Sequence, residues 1–135
     1  MQPPRNHELL KILIVDDSEF NRRSMADILT SEGFNIVGLA STAEEAIQIS
    51  HSSKANLIFI DIVMPEISGL ELTKFLQEKH PENRFIIMMS SLTIESIVIE
   101  SISTGAIDFL QKPFERNDLL KAVEKIERLV EKTVN

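Results

Sequence analysis

Five short, continuous apolar runs recur along the chain, and each is followed by a longer segment with the apolar spacing of a helix. Runs of this kind, rich in branched and aromatic side chains and without strict alternation, are typical of strands buried on both faces of a parallel sheet. The predicted strands are Lys11–Val15, Asn35–Ala40, Asn56–Ile60, Phe85–Met89 and Ile107–Leu110.

The segments between these runs carry recognisable helix ends. Gly33 follows the first segment and is a typical C-terminal stop, and Thr42 and Glu45 have the spacing of a capping box. Strands that alternate with helices predict one doubly wound α/β domain, a (βα)5 sheet with helices on both faces. We place it at residues 10–133, after an N-terminal tail of residues 1–9. The predicted helices are Ser18–Ser31, Thr42 to about Ser50, Leu70–Lys79, Thr93–Thr104 and Glu115–Thr133.

Composition narrows the function classes. The 135 residues carry a formal net charge of −7 and no basic patch interleaved with aromatics, so we expect no nucleic-acid binding. The chain has no cysteine, which excludes disulfides and thiolate metal sites. No apolar run is long enough to cross a bilayer, and the polar tail is no signal peptide, so we expect a cytoplasmic protein without membrane insertion. His7, His51 and His80 show no metal-ligand spacing, and we expect them on the surface.

Polar residues stand at four of the five predicted strand ends. Asp16 and Asp17 follow the first strand, Asp61 the third, Ser90 the fourth, and Lys112 follows the fifth. In open α/β sheets, sites form at these carboxyl ends. Crowded carboxylates repel one another unless a cation joins them, and hard oxygen ligands favour Mg²⁺.

This group of residues suits phosphoryl transfer. Asp61 can act as a nucleophile that becomes an acyl phosphate, while Mg²⁺ and Lys112 offset the phosphoryl charge and Ser90 donates a hydrogen bond. Each residue alone has a simpler explanation. An Asp after a strand is usually a turn or cap residue, and a lone Ser or Lys is usually solvated surface.

Four motifs combine these residues in a fixed order: Ile14–Ser18 (IVDDS), Ile60–Pro65 (IDIVMP) with Gly69, Met89–Ser91 (MSS), and Gly105–Phe114 containing Lys112-Pro113. Together they resemble the motifs of a CheY-like response-regulator receiver domain, over about residues 10–130. The resemblance implies a flavodoxin-like sheet with strand order 2-1-3-4-5.

The resemblance also implies a role for each acidic residue. Asp61 would be the phosphoacceptor and a Mg²⁺ ligand, and Asp17 would bind the metal directly. Asp16 would hold metal-bound water, and the backbone carbonyl of Val63 would complete the metal shell.

Three further roles come from the same resemblance. Ser90 would move toward the phosphoryl group and contact it, and Lys112 would pair with it, aimed by a Lys112–Pro113 peptide that is typically cis in the family. Phe109 would be the switch aromatic, with a plain core aromatic as the alternative.

The family's pattern also assigns the phosphoryl lifetime to the second residue after the acceptor and the second after the Ser. Here these residues are Val63 and Leu92. Apolar side chains cannot position an attacking water, so we expect slow self-dephosphorylation.

Segment Thr93–Thr104 is unusually apolar. Its apolar residues cover an arc of roughly 200°, wider than the stripe of about 100° that a core-facing helix needs, so part of it should be exposed. The resemblance implies that the fourth helix, fifth strand and fifth helix form the face for partner binding or dimerisation. Ile94, Val98 and Phe109 are the candidates on that face; coverage by a neighbouring element is the alternative.

These expectations describe a phosphoacceptor signalling protein rather than an enzyme. It would receive its phosphoryl group from a histidine kinase or phosphotransfer protein and control a downstream effector, as a monomer or a phosphorylation-promoted dimer. A stand-alone regulator, with the flagellar motor of chemotaxis as one target, is the expectation; a receiver excised from a methylesterase or a transcription factor is the alternative. The intact site disfavours a phosphorylation-independent module, and Val63 disfavours a Mg²⁺-dependent hydrolase, which would carry a second Asp at that position.

Overall fold

The computed structural model describes residues 7–79, 84–92 and 94–134. The strands are β1 Lys11–Val15, β2 Asn35–Ala40, β3 Leu57–Asp61, β4 Phe85–Ser90 and β5 Asp108–Gln111. The helices are α1 Glu19–Ser31, α2 Ala43–Ser53, α3 Gly69–Lys79, α4 Glu95–Ser103 and α5 Arg116–Val134. A 3₁₀ turn at His7–Leu9 precedes β1.

The five strands form one parallel sheet in the order β2-β1-β3-β4-β5, which confirms the predicted fold. The sheet order changes direction between β1 and β3, and in this class of fold ligands bind at that crevice. The ends of β1 and β3 therefore lie side by side, and the registers pair Val15 with Ile60.

Two apolar layers cover the sheet, and alternate side chains of each strand belong to opposite layers. In β1, Ile12 and Ile14 pack on the side of α1 and α5, whereas Leu13 and Val15 pack on the side of α2 and α3. Burial on both faces explains why the central strands read as continuous apolar runs. β2 and β5, at the two edges, are only partly buried.

Local hydrogen bonds set the helix boundaries. Ser18 is the N-cap of α1, because its Oγ accepts from the Asn21 amide at 3.3 Å. Thr42 caps α2 in the same way through the Glu45 amide at 3.2 Å, as its spacing predicted. Gly33 closes α1 with φ of 89°, a conformation that favours glycine.

His7 is not a free surface residue, and that prediction was wrong. Its Nδ1 lies 2.6 Å from a carboxylate oxygen of Glu127, which is fully buried in α5. Its ring also packs on Phe34, with 4.1 Å between the ring centroids. His51 is exposed, as expected, and His80 lies outside the described residues. We call the contact of His7 with Phe34 and Glu127 the N-terminal clasp.

In the part of the chain that the structure describes, no helix is both long and apolar enough to span a membrane.

Candidate phosphorylation site

The turn after β1 holds Asp16 and Asp17 at the edge of the sheet. The Asp16 amide donates to the Ala40 carbonyl at 3.0 Å, so the ladder between β1 and β2 continues one residue beyond the strand. One Asp16 carboxylate oxygen accepts from the Ser18 amide at 2.9 Å. Asp16 is fully buried as a result, whereas the neighbouring Asp17 is exposed.

Asp61 is the last residue of β3, one position later than the sequence predicted for the end of that strand. The loop that follows is fixed at both ends, because the Ile62 amide donates to Met89 at 2.9 Å and the Gly69 amide donates to Ile62 at 2.8 Å. The Val63 amide donates to the Asp61 carboxylate at 3.2 Å. The side chain of Asp61 is therefore oriented by its own loop.

The three carboxylates meet as expected. One oxygen from each of Asp16, Asp17 and Asp61 lies within 4.8 Å of the other two. The Lys112 ammonium lies 2.6 Å from Asp16 and 3.2 Å from Asp61, and so bridges the two buried carboxylates. A phosphoryl group on Asp61 would lie beside this cation.

Burial sets the charge states of the bridged groups. Burial raises the pKa of Asp61, the Lys112 charge opposes the rise, and the Asp16 carboxylate adds to it, leaving the pKa raised. For Lys112, burial acts to lower the pKa, but the hydrogen bond to Asp16 and the two negative charges outweigh it, so the pKa is raised. Lys112 therefore carries a positive charge at neutral pH. That charge is not enough to bring the pKa of Asp61 down to its ordinary value.

The donor set fits Mg²⁺. Three clustered carboxylates against one ammonium leave an excess of negative charge at this edge. Hard oxygen ligands and only one or two direct carboxylates are what Mg²⁺ prefers, with water in the remaining positions.

Ser90 ends β4 and is almost fully buried. Its Oγ accepts a hydrogen bond from the Leu92 amide at 2.9 Å, so it is held within its own turn. The Ser90 carbonyl accepts from the Lys112 amide at 2.8 Å, which brings the ends of β4 and β5 together. The Lys112–Pro113 peptide is cis, as the resemblance implied.

The candidates for the outer face differ in exposure. Ile94 is 60% exposed, whereas Val98 and Phe109 are half-buried, and Phe109 packs against the core on the α2 and α3 side. Ile94 is the N-cap of α4, so the helix begins two residues later than predicted. Two further exposed side chains on α4, Ile99 and Ile102, were not singled out from the sequence.

Sequence reasoning missed one side chain at the site. Arg22 in α1 donates from Nη1 to the Asp16 carbonyl at 2.6 Å, and so ties the helix to the turn that holds the acids. No local motif marks Arg22, because the contact depends on how α1 leaves the turn.

The comparisons with known proteins agree with this geometry. The model of the response regulator receiver domain family matches residues 12–124. The chain belongs to that family. It is 35% identical to the chemotaxis protein CheY of Thermotoga maritima, over 87% of this chain and 98% of that protein.

Two other similarities place the receiver domain among its relatives. The chain is 39% identical to a protein-glutamate methylesterase/protein-glutamine glutaminase of Archaeoglobus fulgidus, over 77% of this chain but only 30% of that protein. The crystal structure of the CheX-CheY-BeF3-Mg²⁺ complex from Borrelia burgdorferi contains a chain of similar fold. That match has a TM-score of 0.81 and 34% identity, and it covers 87% of this receiver and 88% of that chain.

Proposed function

We propose that Asp61 accepts a phosphoryl group in a Mg²⁺-dependent reaction, and that the modified receiver then controls a partner protein. The observation that carries the proposal is the bridge at the sheet edge, with the Lys112 ammonium 3.2 Å from Asp61 and two further carboxylates beside it. Membership of the receiver family supports it. Asp16, Asp17, Asp61 and the Val63 carbonyl are the proposed metal ligands, directly or through water.

The chain's own residues have defined tasks in this reaction. A carboxylate oxygen of Asp61 forms the new O–P bond as the bond from phosphorus to the donor's nitrogen or oxygen breaks, and the donor group leaves with the bonding electrons. Lys112 stabilises the charge on the phosphoryl oxygens. Mg²⁺, when bound, would neutralise charge on the same oxygens.

Intact mass spectrometry tests the acceptor. We expect one phosphoryl group on the protein after incubation with acetyl phosphate and Mg²⁺, and none when EDTA replaces Mg²⁺. Asp61→Asn should remain unlabelled, whereas Asp27→Asn, at an exposed position on α1, should label like the unaltered protein. Equal labelling of Asp61→Asn would refute the proposal.

The lifetime of the acyl phosphate is proposed to be long. The two residues at the lifetime positions, Val63 and Leu92, are apolar and are 56% and 43% exposed. Neither can hydrogen-bond an attacking water. We expect the double variant Val63→Asn/Leu92→Glu to lose phosphate at least about tenfold faster, since general-base assistance is worth about 10²-fold or more.

A matched variant tests whether phosphate is lost faster simply because an exposed apolar side chain of this loop has been made polar. Ile67 is 40% exposed in the same loop as Val63 but lies at neither lifetime position. Ile67→Asn should leave the rate of phosphate loss unchanged. An unchanged rate in the double variant would remove the lifetime proposal while leaving the acceptor role intact.

The proposed output runs through Ser90 and Phe109. The Ser90 Oγ accepts from the Leu92 amide, which leaves its hydroxyl hydrogen available to a phosphoryl oxygen, and Phe109, half-buried beside β4, can take up a new position when Ser90 moves. Ile94, whose side chain is exposed, lies between Ser90 and α4 in the chain. We infer that α4, β5 and α5 form the partner face, with Ile94 and Val98 on it.

Nuclear magnetic resonance spectra with the phosphoryl mimic beryllofluoride test this output. We expect shifts for residues 90–112 as well as around Asp61. Shifts confined to the neighbourhood of Asp61 would contradict the switch. In Ser90→Ala, the mimic should still bind and the shifts at Phe109 should shrink.

A histidine kinase or phosphotransfer protein is the proposed donor, and an effector protein the proposed target. The match to a CheY over nearly its whole length favours a stand-alone regulator in chemotaxis. The match to the receiver portion of a methylesterase supports the alternative of a receiver that belongs to a longer regulator. Transfer from a purified phosphorylated kinase, followed by binding assays with candidate effectors, separates these outputs.

A further inference from the structure

A cavity of about 300 Å³ lies between α2 and α3, away from the acidic edge of the sheet. Its apolar part is formed by Ile47 on α2 and by Phe75 and Leu76 on α3. The volume is at the lower end of the range for small-ligand pockets and about twice that of a cavity known to hold benzene. The cavity can therefore accommodate a compact organic group.

One hydroxyl in this cavity has no hydrogen-bond partner among the residues that the structure describes. It belongs to Ser50, which is 1% exposed. The neighbouring Ser52 and Ser53 behave differently, because both donate to the Ile49 carbonyl of their own helix. Leaving a buried hydroxyl without a partner costs about 1–3 kcal/mol. A polar atom of a bound molecule would remove that cost.

Three basic side chains surround the same cavity: His51, Lys79 and Arg84. No carboxylate lines it among the residues that the structure describes, and within the same residues none of the three basic groups forms an ion pair. On a chain with a net charge of −7, two permanent cations side by side, Lys79 and Arg84, are a local exception. They favour a negatively charged occupant.

Arg84 and Lys79 each have one contact beside the cavity. Arg84 is half-buried and donates to the Leu76 carbonyl at 3.3 Å, which leaves further guanidinium donors available. Burial also lowers the pKa of Arg84, a sign that its charge is poorly solvated. The Lys79 ammonium lies 5.6 Å from the centre of the Phe75 ring, within cation–π range.

We propose that the cavity between α2 and α3 binds a small organic anion, a carboxylate carried on an aromatic or branched aliphatic body. The body would pack on Ile47, Phe75 and Leu76, and the carboxylate would meet Lys79 and Arg84. The carboxylate oxygen nearest Ser50 would accept a hydrogen bond from its hydroxyl. This site is independent of the phosphoacceptor role of Asp61, since it shares no residue with that site.

A set of three probes separates the two parts of the ligand. Indole-3-acetate supplies both the body and the charge, indole-3-acetamide supplies the body alone, and acetate supplies the charge alone. In ¹H–¹⁵N spectra of the full chain, we expect saturable shifts with indole-3-acetate at residues 47–51, 75–79 and 84. The acetamide and acetate should each bind at least about tenfold more weakly, because a charge-assisted hydrogen bond or the apolar contact is then lost.

Matched variants test whether Lys79 and Ser50 contribute to binding of the probe. Lys79→Gln should weaken indole-3-acetate about three- to tenfold, whereas Lys74→Gln, on the exposed face of the same helix, should not. Ser50→Ala should weaken the probe while leaving the thermal stability of the probe-free protein unchanged or higher, because no hydrogen bond is lost. Ser52→Ala, at a neighbouring position of α2, is the control for replacing a serine of this helix by alanine.

Three results would overturn the proposal. The first is equal binding of indole-3-acetate and its acetamide, which would mean that the cations take no part. The second is a set of shifts outside the cavity, or shifts that do not saturate. The third is a lower melting temperature for probe-free Ser50→Ala, which would show that an ordered water already satisfies the hydroxyl.

Discussion

At the scale of single residues, Asp61 experiences two opposing influences. Burial favours its protonated form, while Lys112 at 3.2 Å favours the carboxylate, and burial outweighs the ion pair. A carboxylate in this position is poorly stabilised by the protein alone. It is therefore suited to gain from a bound cation and to act as a nucleophile.

This balance predicts how stability depends on pH. Because the folded chain raises the pKa of Asp61 above its ordinary value of 3.8, the folded state holds more protons than the unfolded state between these two values. The free energy of unfolding therefore falls as pH rises through that window, and the penalty is fully present above it. In EDTA at pH 7, we expect Asp61→Asn to be more stable than the unaltered protein by about 1 kcal/mol.

Urea unfolding from pH 7 down to pH 4 checks the sign. The advantage of Asp61→Asn should shrink as pH falls, because the unaltered Asp61 then becomes neutral as well. An advantage of constant size, or a loss of stability at pH 7, would show that the pair with Lys112 outweighs burial.

The sequence predicted which strand-end residues would lie close together, because the carboxyl ends of parallel strands meet at one edge of the sheet. Asp16, Asp17 and Asp61 stand at the ends of the adjacent strands β1 and β3, and Lys112, after β5, reaches Asp16 and Asp61 from the same edge of the sheet. Arg22 and Ser50 could not be found in this way. Their significance depends on side-chain direction within a helix, which apolar periodicity does not fix for polar residues.

At the scale of elements, the first residue of α3 packs directly against the backbone of the strand residue Asp61. Gly69 begins α3, and a Cβ added there would lie 2.2 Å from the Asp61 carbonyl oxygen. The helix can therefore approach β3 this closely only with glycine at that position. Gly69 was part of a sequence motif, but only this contact in the structure explains why that position needs glycine.

This contact predicts different costs for two glycines. Gly69→Ala should destabilise the protein by about 3 kcal/mol and slow phosphorylation of Asp61, because backbone must move. Gly38→Ala should cost less, about 2 kcal/mol, because its Cβ would meet a side-chain methyl of Ile49 at 2.4 Å, which can shift more easily than backbone can. Urea unfolding and labelling by acetyl phosphate measure both. Equal costs, with unchanged labelling, would contradict the role given to Gly69.

Helix ends were less predictable than helix positions. The capping side chains Ser18 and Thr42 fixed the starts of α1 and α2 correctly to within one residue. Neither α4 nor β3 has such a marker. Ile94 caps α4 without a side-chain hydrogen bond. Asp61 is a polar residue and so looks like the first residue after a strand, although it still pairs with Met89 of β4.

At the scale of the whole molecule, the edge of the sheet concentrates negative charge on a chain that is already acidic. A ligand that binds only the folded state adds RT ln(1 + [L]/Kd) to the free energy of unfolding. We expect Mg²⁺ at 100 times its Kd to stabilise the protein by about 2.7 kcal/mol.

Thermal unfolding during a Mg²⁺ titration measures this gain. Asp17→Asn should abolish it, since Asp17 is the proposed direct ligand, whereas Asp27→Asn should retain it. A similar gain with Na⁺ at matched ionic strength would point to general screening and would contradict a specific site.

The N-terminal clasp has a consequence for protein engineering. A chimeric regulator that carries this receiver needs a junction at its N-terminal side, and the apolar pattern here suggests residue 10. A graft that starts there would omit His7, removing the imidazole beside the buried Glu127 and the ring against Phe34. The junction should instead precede His7, so that the transplanted receiver keeps the contact that joins its entry segment to α5.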